Sequence, residues 1–287
     1  MKQILLLAPV IQHIHFNLKK EKQIMVHIIK QLRSVKSFLS LILILLTMSL
    51  TSTSTFAQKI HNIVLVHGAF VDGSGWEGVY NNLTKKGYHV SIVGNPNTGL
   101  ADDVAATKRV LDRLDGPAIL VGHSYGGAII SEIGLHKNVA GLVFVTAFVP
   151  DAGETLLQLS QAGPPAVNSG ILPPKDGFIW YDKAKFHSGF CADLSNEKAS
   201  FMYDAQVPVS AAVFVTPIKN AAWKIKPSWY IVATEDQTIP PDGQRFMAKK
   251  ANAKIIEVKG SHLVFVSQPD AVANVIDSAA NGKPGSK

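Results

Sequence analysis

Three residues of this chain have the types needed for nucleophilic catalysis: Ser124, Asp236 and His262. Ser124 stands in Gly122-His123-Ser124-Tyr125-Gly126-Gly127, between the apolar runs Ala118-Ile119-Leu120-Val121 and Ala128-Ile129-Ile130. That pattern reads as strand, sharp turn, helix, with the hydroxyl carried on the turn and pushed into a cleft. A side chain at either flanking glycine would collide with the neighbouring strand or helix. The same stretch also reads as a glycine-rich turn with an incidental serine, so its partners decide. A serine hydroxyl is a weak nucleophile at neutral pH and needs a base to take its proton. His262, in Gly260-Ser261-His262, can serve, and a carboxylate would hold its tautomer. Asp236 in Thr234-Glu235-Asp236-Gln237 is the first choice, with Glu235 and Asp151 as rivals. Backbone N–H groups of Tyr125 and Ala69 are placed to hold a developing oxyanion.

The elements that must position these residues follow from the hydrophobic pattern. Apolar runs at 60–66, 88–93, 118–121, 139–145, 228–234 and 254–258 read as buried strands. Between them, 76–86, 101–115, 125–136, 241–251 and 268–280 read as helices, with Val79, Tyr80 and Leu83 facing inward in the first. Alternation of this kind predicts an α/β fold: a mostly parallel open sheet with helices on both faces. In such sheets, function collects at the C-terminal ends of the strands, and Ala69, Ser124, Asp236 and His262 each follow one. Residues 151–222 break the alternation. They are rich in Pro, Gly and aromatics and read as an inserted helical cap. Phe70, Trp76 and Phe148 are expected near the site, which points to an apolar pocket.

The chain has 287 residues and a formal charge of +7. Residues 1–57 hold seven of the 28 Lys and Arg residues and one of the 21 acids. The remainder is nearly neutral, which argues against a nucleic-acid partner. Lys30, Arg33 and Lys36 precede the apolar run Phe38–Leu46, and Thr55-Phe56-Ala57 resembles a cleavage site. Residues 1–57 are thus expected to be a signal peptide, with Met25 a candidate start. Residues 58–287 would form one domain that is secreted or periplasmic. An uncleaved membrane anchor is the alternative. The lone Cys191 excludes an intrachain disulfide and is given no catalytic role. No Cys/His/Asp/Glu set has zinc spacing and no dinucleotide or Walker-type loop is present, so no metal or cofactor is expected.

The order Ser, Asp, His, each at a strand end, resembles that of the α/β-hydrolase superfamily. Val64-Leu65-Val66-His67-Gly68-Ala69, the serine motif and His262-Leu263-Val264-Phe265-Val266-Ser267-Gln268-Pro269 resemble its small-esterase branch, which includes plant methyl esterases and hydroxynitrile lyases. The resemblance implies cofactor-free cleavage of a small, largely apolar ester through Ser124. Those lyases carry a lysine directly after the histidine and a threonine near the reacting oxygen. Here the corresponding residues are Leu263, and Ala69 with Phe70, which ranks the lyase reaction below ester hydrolysis. Haloperoxidase or perhydrolase chemistry uses the same three residues. A non-catalytic ligand-binding protein on the same scaffold is the alternative from another class.

Overall fold

The computed structural model describes residues 60–163 and 165–282, with scattered residues between 20 and 32 that are helical and exposed. The chain divides into two compact units, Met1–Ala57 and Gln58–Lys287. The apolar run Phe38–Leu46 and the expected cleavage site lie outside the described residues. Among the described residues no helix is long and apolar enough to cross a membrane.

The second unit is built on a six-stranded parallel sheet in the order β2-β1-β3-β4-β7-β8. Its strands are β1 (Asn62–Val66), β2 (His89–Val93), β3 (Ala118–His123), β4 (Val139–Val145), β7 (Ser228–Ala233) and β8 (Lys254–Val258). The central strands β1, β3 and β7 are buried along their whole length. Such strands satisfy their backbone groups in the ladder and bury apolar side chains on both faces. The edge strands β2 and β8 are partly exposed and carry polar residues such as His89 and Glu257. The chain runs from β1 out to β2 and returns on the other side to β3. The order in which the chain adds strands therefore reverses between the two strands that lead to Ala69 and Ser124.

Helices α1 (Glu77–Lys85), α2 (Leu100–Leu111), α3 (Gly126–Ile133), α8 (Pro241–Lys250) and α10 (Pro269–Ala280) cover the sheet on both sides. Here α1 packs beside α10, and α2 beside α3. Val79 and Leu83 of α1 are fully buried, but Tyr80 is 38% exposed and not inward-facing as expected. At 100° per residue it falls beside the buried stripe, not on it.

Between β4 and β7 lie α4 (Leu156–Ala162), α5 (Lys183–Phe190), α6 (Asn196–Asp204) and α7 (Ala212–Val215). This region also contains an antiparallel ribbon of β5 (Phe178–Ile179) and β6 (Val209–Ser210), so it is not purely helical. Four of its aromatic residues, Tyr181, Phe186, Phe190 and Tyr203, pack on one another. The Tyr181 ring lies 5.0 Å from Phe190 and 5.6 Å from Phe186, and all three are buried. A short α9 (Val264–Ser267) follows the histidine loop.

Candidate active site

Ser124 has φ +51°, a left-handed backbone that a non-glycine residue adopts only under constraint. The constraint is visible in its hydrogen bonds. The Ser124 N–H donates to the Val145 carbonyl at 3.2 Å, and its own carbonyl accepts from Gly127 and Phe148. The flanking glycines are required by close approach. A Cβ on Gly122 would sit 2.6 Å from the Gly126 carbonyl oxygen, and one on Gly126 would sit 2.9 Å from the carbonyl oxygens of Val66 and His67.

The three residues separated in sequence meet here. Ser124 Oγ lies 2.9 Å from His262 Nε2, and His262 Nδ1 lies 2.7 Å from Asp236 Oδ2. His262 and Asp236 are almost wholly buried, and Ser124 is 6% exposed. The rivals of Asp236 are elsewhere: Asp151 pairs with Lys224 at 2.6 Å, and Glu235 with Lys259 at 3.6 Å. Asp236 is also held on its other lone pairs. Its Oδ1 accepts the N–H groups of Thr238 at 2.7 Å and Ile239 at 3.0 Å. Its Oδ2 accepts a second bond, from Gln244 Nε2 at 2.8 Å. Gln244 is locked in turn, accepting from Ala233 N–H and donating to the Ile239 carbonyl.

The histidine loop is braced from three directions. His123 Nε2 faces the His262 carbonyl at 3.0 Å, so that nitrogen carries the proton. Burial holds the His123 imidazole well below the usual histidine range, and it is neutral. The Thr146 hydroxyl lies 3.2 Å from the same carbonyl. From the cap, the Asp193 carboxylate accepts both the N–H of Ser261, at 3.0 Å, and its hydroxyl. The cap also reaches the Asp236 loop, where Thr238 Oγ1 donates to the Gly189 carbonyl at 2.9 Å. The Phe190 ring lies 4.9 Å from that of His262, the two planes tilted by 56°.

Ala69 and Tyr125 flank the serine. Among the described residues no acceptor takes the backbone N–H of either. The loop before Ala69 is set by His67. Its Nε2 accepts the Asn95 N–H at 3.0 Å and its Nδ1 donates to the Gly68 carbonyl at 2.9 Å, while burial keeps the ring neutral. The Tyr125 side chain is anchored below the site. Its hydroxyl donates to Asp103 Oδ2 at 2.6 Å, and Asp103 Oδ1 accepts the Asn97 N–H at 2.8 Å. Asp103 is fully buried, and desolvation outweighs these bonds to push its carboxyl up to about 6. The folded protein therefore binds this proton more tightly than the unfolded chain, where an aspartate titrates near ~3.9. Asp103 favours folding fully below that value and loses its contribution as pH rises through about 6. Asp103→Asn, which is neutral throughout, is expected to flatten the fall in unfolding free energy between about pH 4 and 6. Urea titrations across that window check it; a wild-type slope surviving in the variant would contradict the assignment.

A cavity of 410 Å³ opens at Ser124. Phe70 and Phe148 line it, with Phe190, Leu157, Ile179 and Phe214. Phe70 has φ +64°, and its ring meets Tyr181 edge-on at 5.6 Å. Trp76 corrects the expectation. It does not line the cavity but lies fully buried with its ring 4.2 Å from Phe265. It ends the short turn Gly73–Trp76 and caps the start of α1. Among the described residues no group of His, Cys, Asp and Glu could hold a metal. Cys191 is buried with its thiol pushed up to about 12, which leaves it protonated and inert.

Fold and site together define a class. A family model described as the alpha/beta hydrolase family matches residues 63–275, and the chain belongs to that family. Its resemblance to the small-esterase branch is carried by individual relatives. It is 29% identical over 252 residues to a pyrethroid hydrolase of Sphingobium wenxiniae (strain DSM 21828 / CGMCC 1.7748 / JZ-1), covering 78% of this chain and 89% of that protein. It is 26% identical to Methylesterase 7 of Arabidopsis thaliana, covering 74% of this chain and 94% of the relative. The crystal structure of a pyrethroid hydrolase from Sphingobium faniae JZ-2 superposes with a TM-score of 0.66 at 26% identity, over 77% of this chain and 98% of that one.

Proposed function

We propose that this protein is an exported serine esterase that cleaves a largely apolar carboxylic ester through an acyl-enzyme on Ser124. The observation that carries the reading is the unbroken hydrogen-bonded line Ser124–His262–Asp236 opening on an apolar cavity. The mechanism follows from that geometry. Ser124 Oγ attacks the ester carbonyl carbon while His262 Nε2 takes its proton. The carbonyl π electrons move onto oxygen, where the free N–H groups of Ala69 and Tyr125 receive the charge. Such a donor is worth about 2.7–4 kcal/mol at the transition state. As the C–O bond to the alcohol breaks, His262 gives the proton to the leaving oxygen. Water, deprotonated by the same imidazole, then attacks the acyl-enzyme and releases the acid and free Ser124.

Names of relatives such as pyrethroid hydrolase, carbendazim hydrolyzing esterase and methylesterase support ester cleavage as the reaction class. The test is labelling with a fluorophosphonate, followed by a panel of p-nitrophenyl esters. Covalent labelling with turnover of at least one ester is expected; a chain that binds esters but is neither labelled nor turns them over would be a binding protein.

Export rests on the leader pattern of residues 30–57. The mature N-terminus is expected near Gln58. Intact-mass measurement of periplasmic or medium fractions checks this. Full-length protein confined to the membrane fraction would show an anchor instead.

A further inference from the structure

The cavity at Ser124 has a neighbour that the mechanism does not use. A second cavity, of 460 Å³, shares Phe148, Ser160, Ile171, Thr238 and Ile239 with the first. These five shared residues make the two cavities adjacent. Its far wall includes Leu159 of α4 and Gly243, Phe246 and Met247 of α8. Ser124 does not line it.

Gly243 is the informative residue. It lies within α8, where glycine weakens a helix because it has the most backbone freedom to lose. The glycines of the serine turn, Gly122 and Gly126, have a steric reason. Gly243 has none: its φ is not positive, and a Cβ built on it meets no atom within 4 Å. Neither backbone conformation nor packing calls for glycine. What the missing side chain leaves is open space on the wall of the second cavity.

We propose that the second cavity is a subsite for the distal part of an elongated ester. The scissile carbonyl lies at Ser124, and an extended alkyl or aryl tail passes Phe148, Ile171 and Ile239 to lie against α8. Gly243 keeps that subsite open. The proposal rests on the esterase reading of the first cavity and extends it from a small ester to one with a long apolar arm. The chemistry of the lining selects such a tail, because Leu159, Ile171, Ile239, Phe246 and Met247 offer apolar surface to bury. An ester short enough to fit beside Ser124 alone would not touch α8.

The test fills the subsite from its own wall. Gly243→Trp places an indole in the open space without touching the catalytic residues, and Gly243→Ala is the control for backbone effects. With p-nitrophenyl decanoate, Gly243→Trp is expected to lower kcat/KM on the order of tenfold. With p-nitrophenyl acetate it should stay within about twofold of wild type, and Gly243→Ala should stay within about twofold on both esters. Equal losses on the two esters, or no loss on either, would overturn the subsite. If the wild type turned over neither ester, the esterase reading itself would fail. The subsite is then read without turnover, by calorimetric binding of decanophenone and acetophenone to the Ser124→Ala protein. Decanophenone binding weakened about tenfold by Gly243→Trp, with acetophenone unaffected, would uphold the subsite; unchanged decanophenone binding would overturn it.

Discussion

Asp236→Asn is expected to lower kcat by about 10⁴, the loss seen for the equivalent change in a serine protease. The hydrogen bonds around this residue explain why an isosteric amide cannot substitute. Asp236 Oδ1 faces two backbone N–H donors and Oδ2 faces two side-chain donors, His262 Nδ1–H and Gln244 Nε2. An asparagine has one oxygen and one NH₂ to offer. With its oxygen toward Thr238 and Ile239, its NH₂ points at His262 and requires a bare Nδ1. The imidazole proton then sits on Nε2, facing Ser124, and the base can no longer accept. Turning Gln244 to receive the NH₂ would break its own bonds to Ala233 and Ile239. Asp151→Asn and Glu235→Gln, whose partners are surface lysines, should stay within about twofold. Initial rates on one p-nitrophenyl ester at neutral pH, with circular dichroism as the fold control, decide between them. A nearly silent Asp236→Asn beside a crippled Asp151→Asn would move the acid to the loop after β4.

Ser124→Ala should cost more, about 10⁶ in kcat, because no other group can form the acyl-enzyme. It should also abolish fluorophosphonate labelling. The fold should be unaffected. Alanine meets the same penalty as serine at φ +51°, so the strain of the turn is unchanged. The one bond lost is that to His262 Nε2. A melting temperature within a few degrees of wild type, together with the loss of activity, is the expected pair of results. Retention of more than a few per cent of the rate would remove Ser124 from the mechanism.

The three central residues could be read from sequence because each sits at the end of an apolar run, and strand ends are where an open parallel sheet presents its chemistry. The residues that hold them could not. Gln244 reaches Asp236 from within α8, Asp193 reaches Ser261 from the cap, and Asp103 reaches Tyr125 from α2. None lies in a motif, and each acts through a contact that exists only once the chain is folded. Asp103 shows the ambiguity clearly. In sequence it reads as an acid suited to the first turn of a helix, yet it is fully buried against a tyrosine hydroxyl. Trp76 was misplaced for the opposite reason. A large aromatic close in sequence to the loop of Ala69 suits a pocket and a core equally, and packing against Phe265 decides for the core. The β5/β6 ribbon has two residues in each strand, too few for alternation to register.

The ties between cap and sheet constrain how the enzyme can be loaded. Asp193 grips Ser261 beside the base, and Gly189 receives Thr238 beside the acid, four residues apart on one stretch of cap. A cap swinging away as a rigid door would have to release both grips, leaving His262 without its neighbour's support at the moment substrate arrives. Leu157, Leu172 and Val215 line the cavity and are partly exposed, and they can change rotamer without disturbing either tie. Rotamer changes of exposed side chains are far faster than the hinging of a lid.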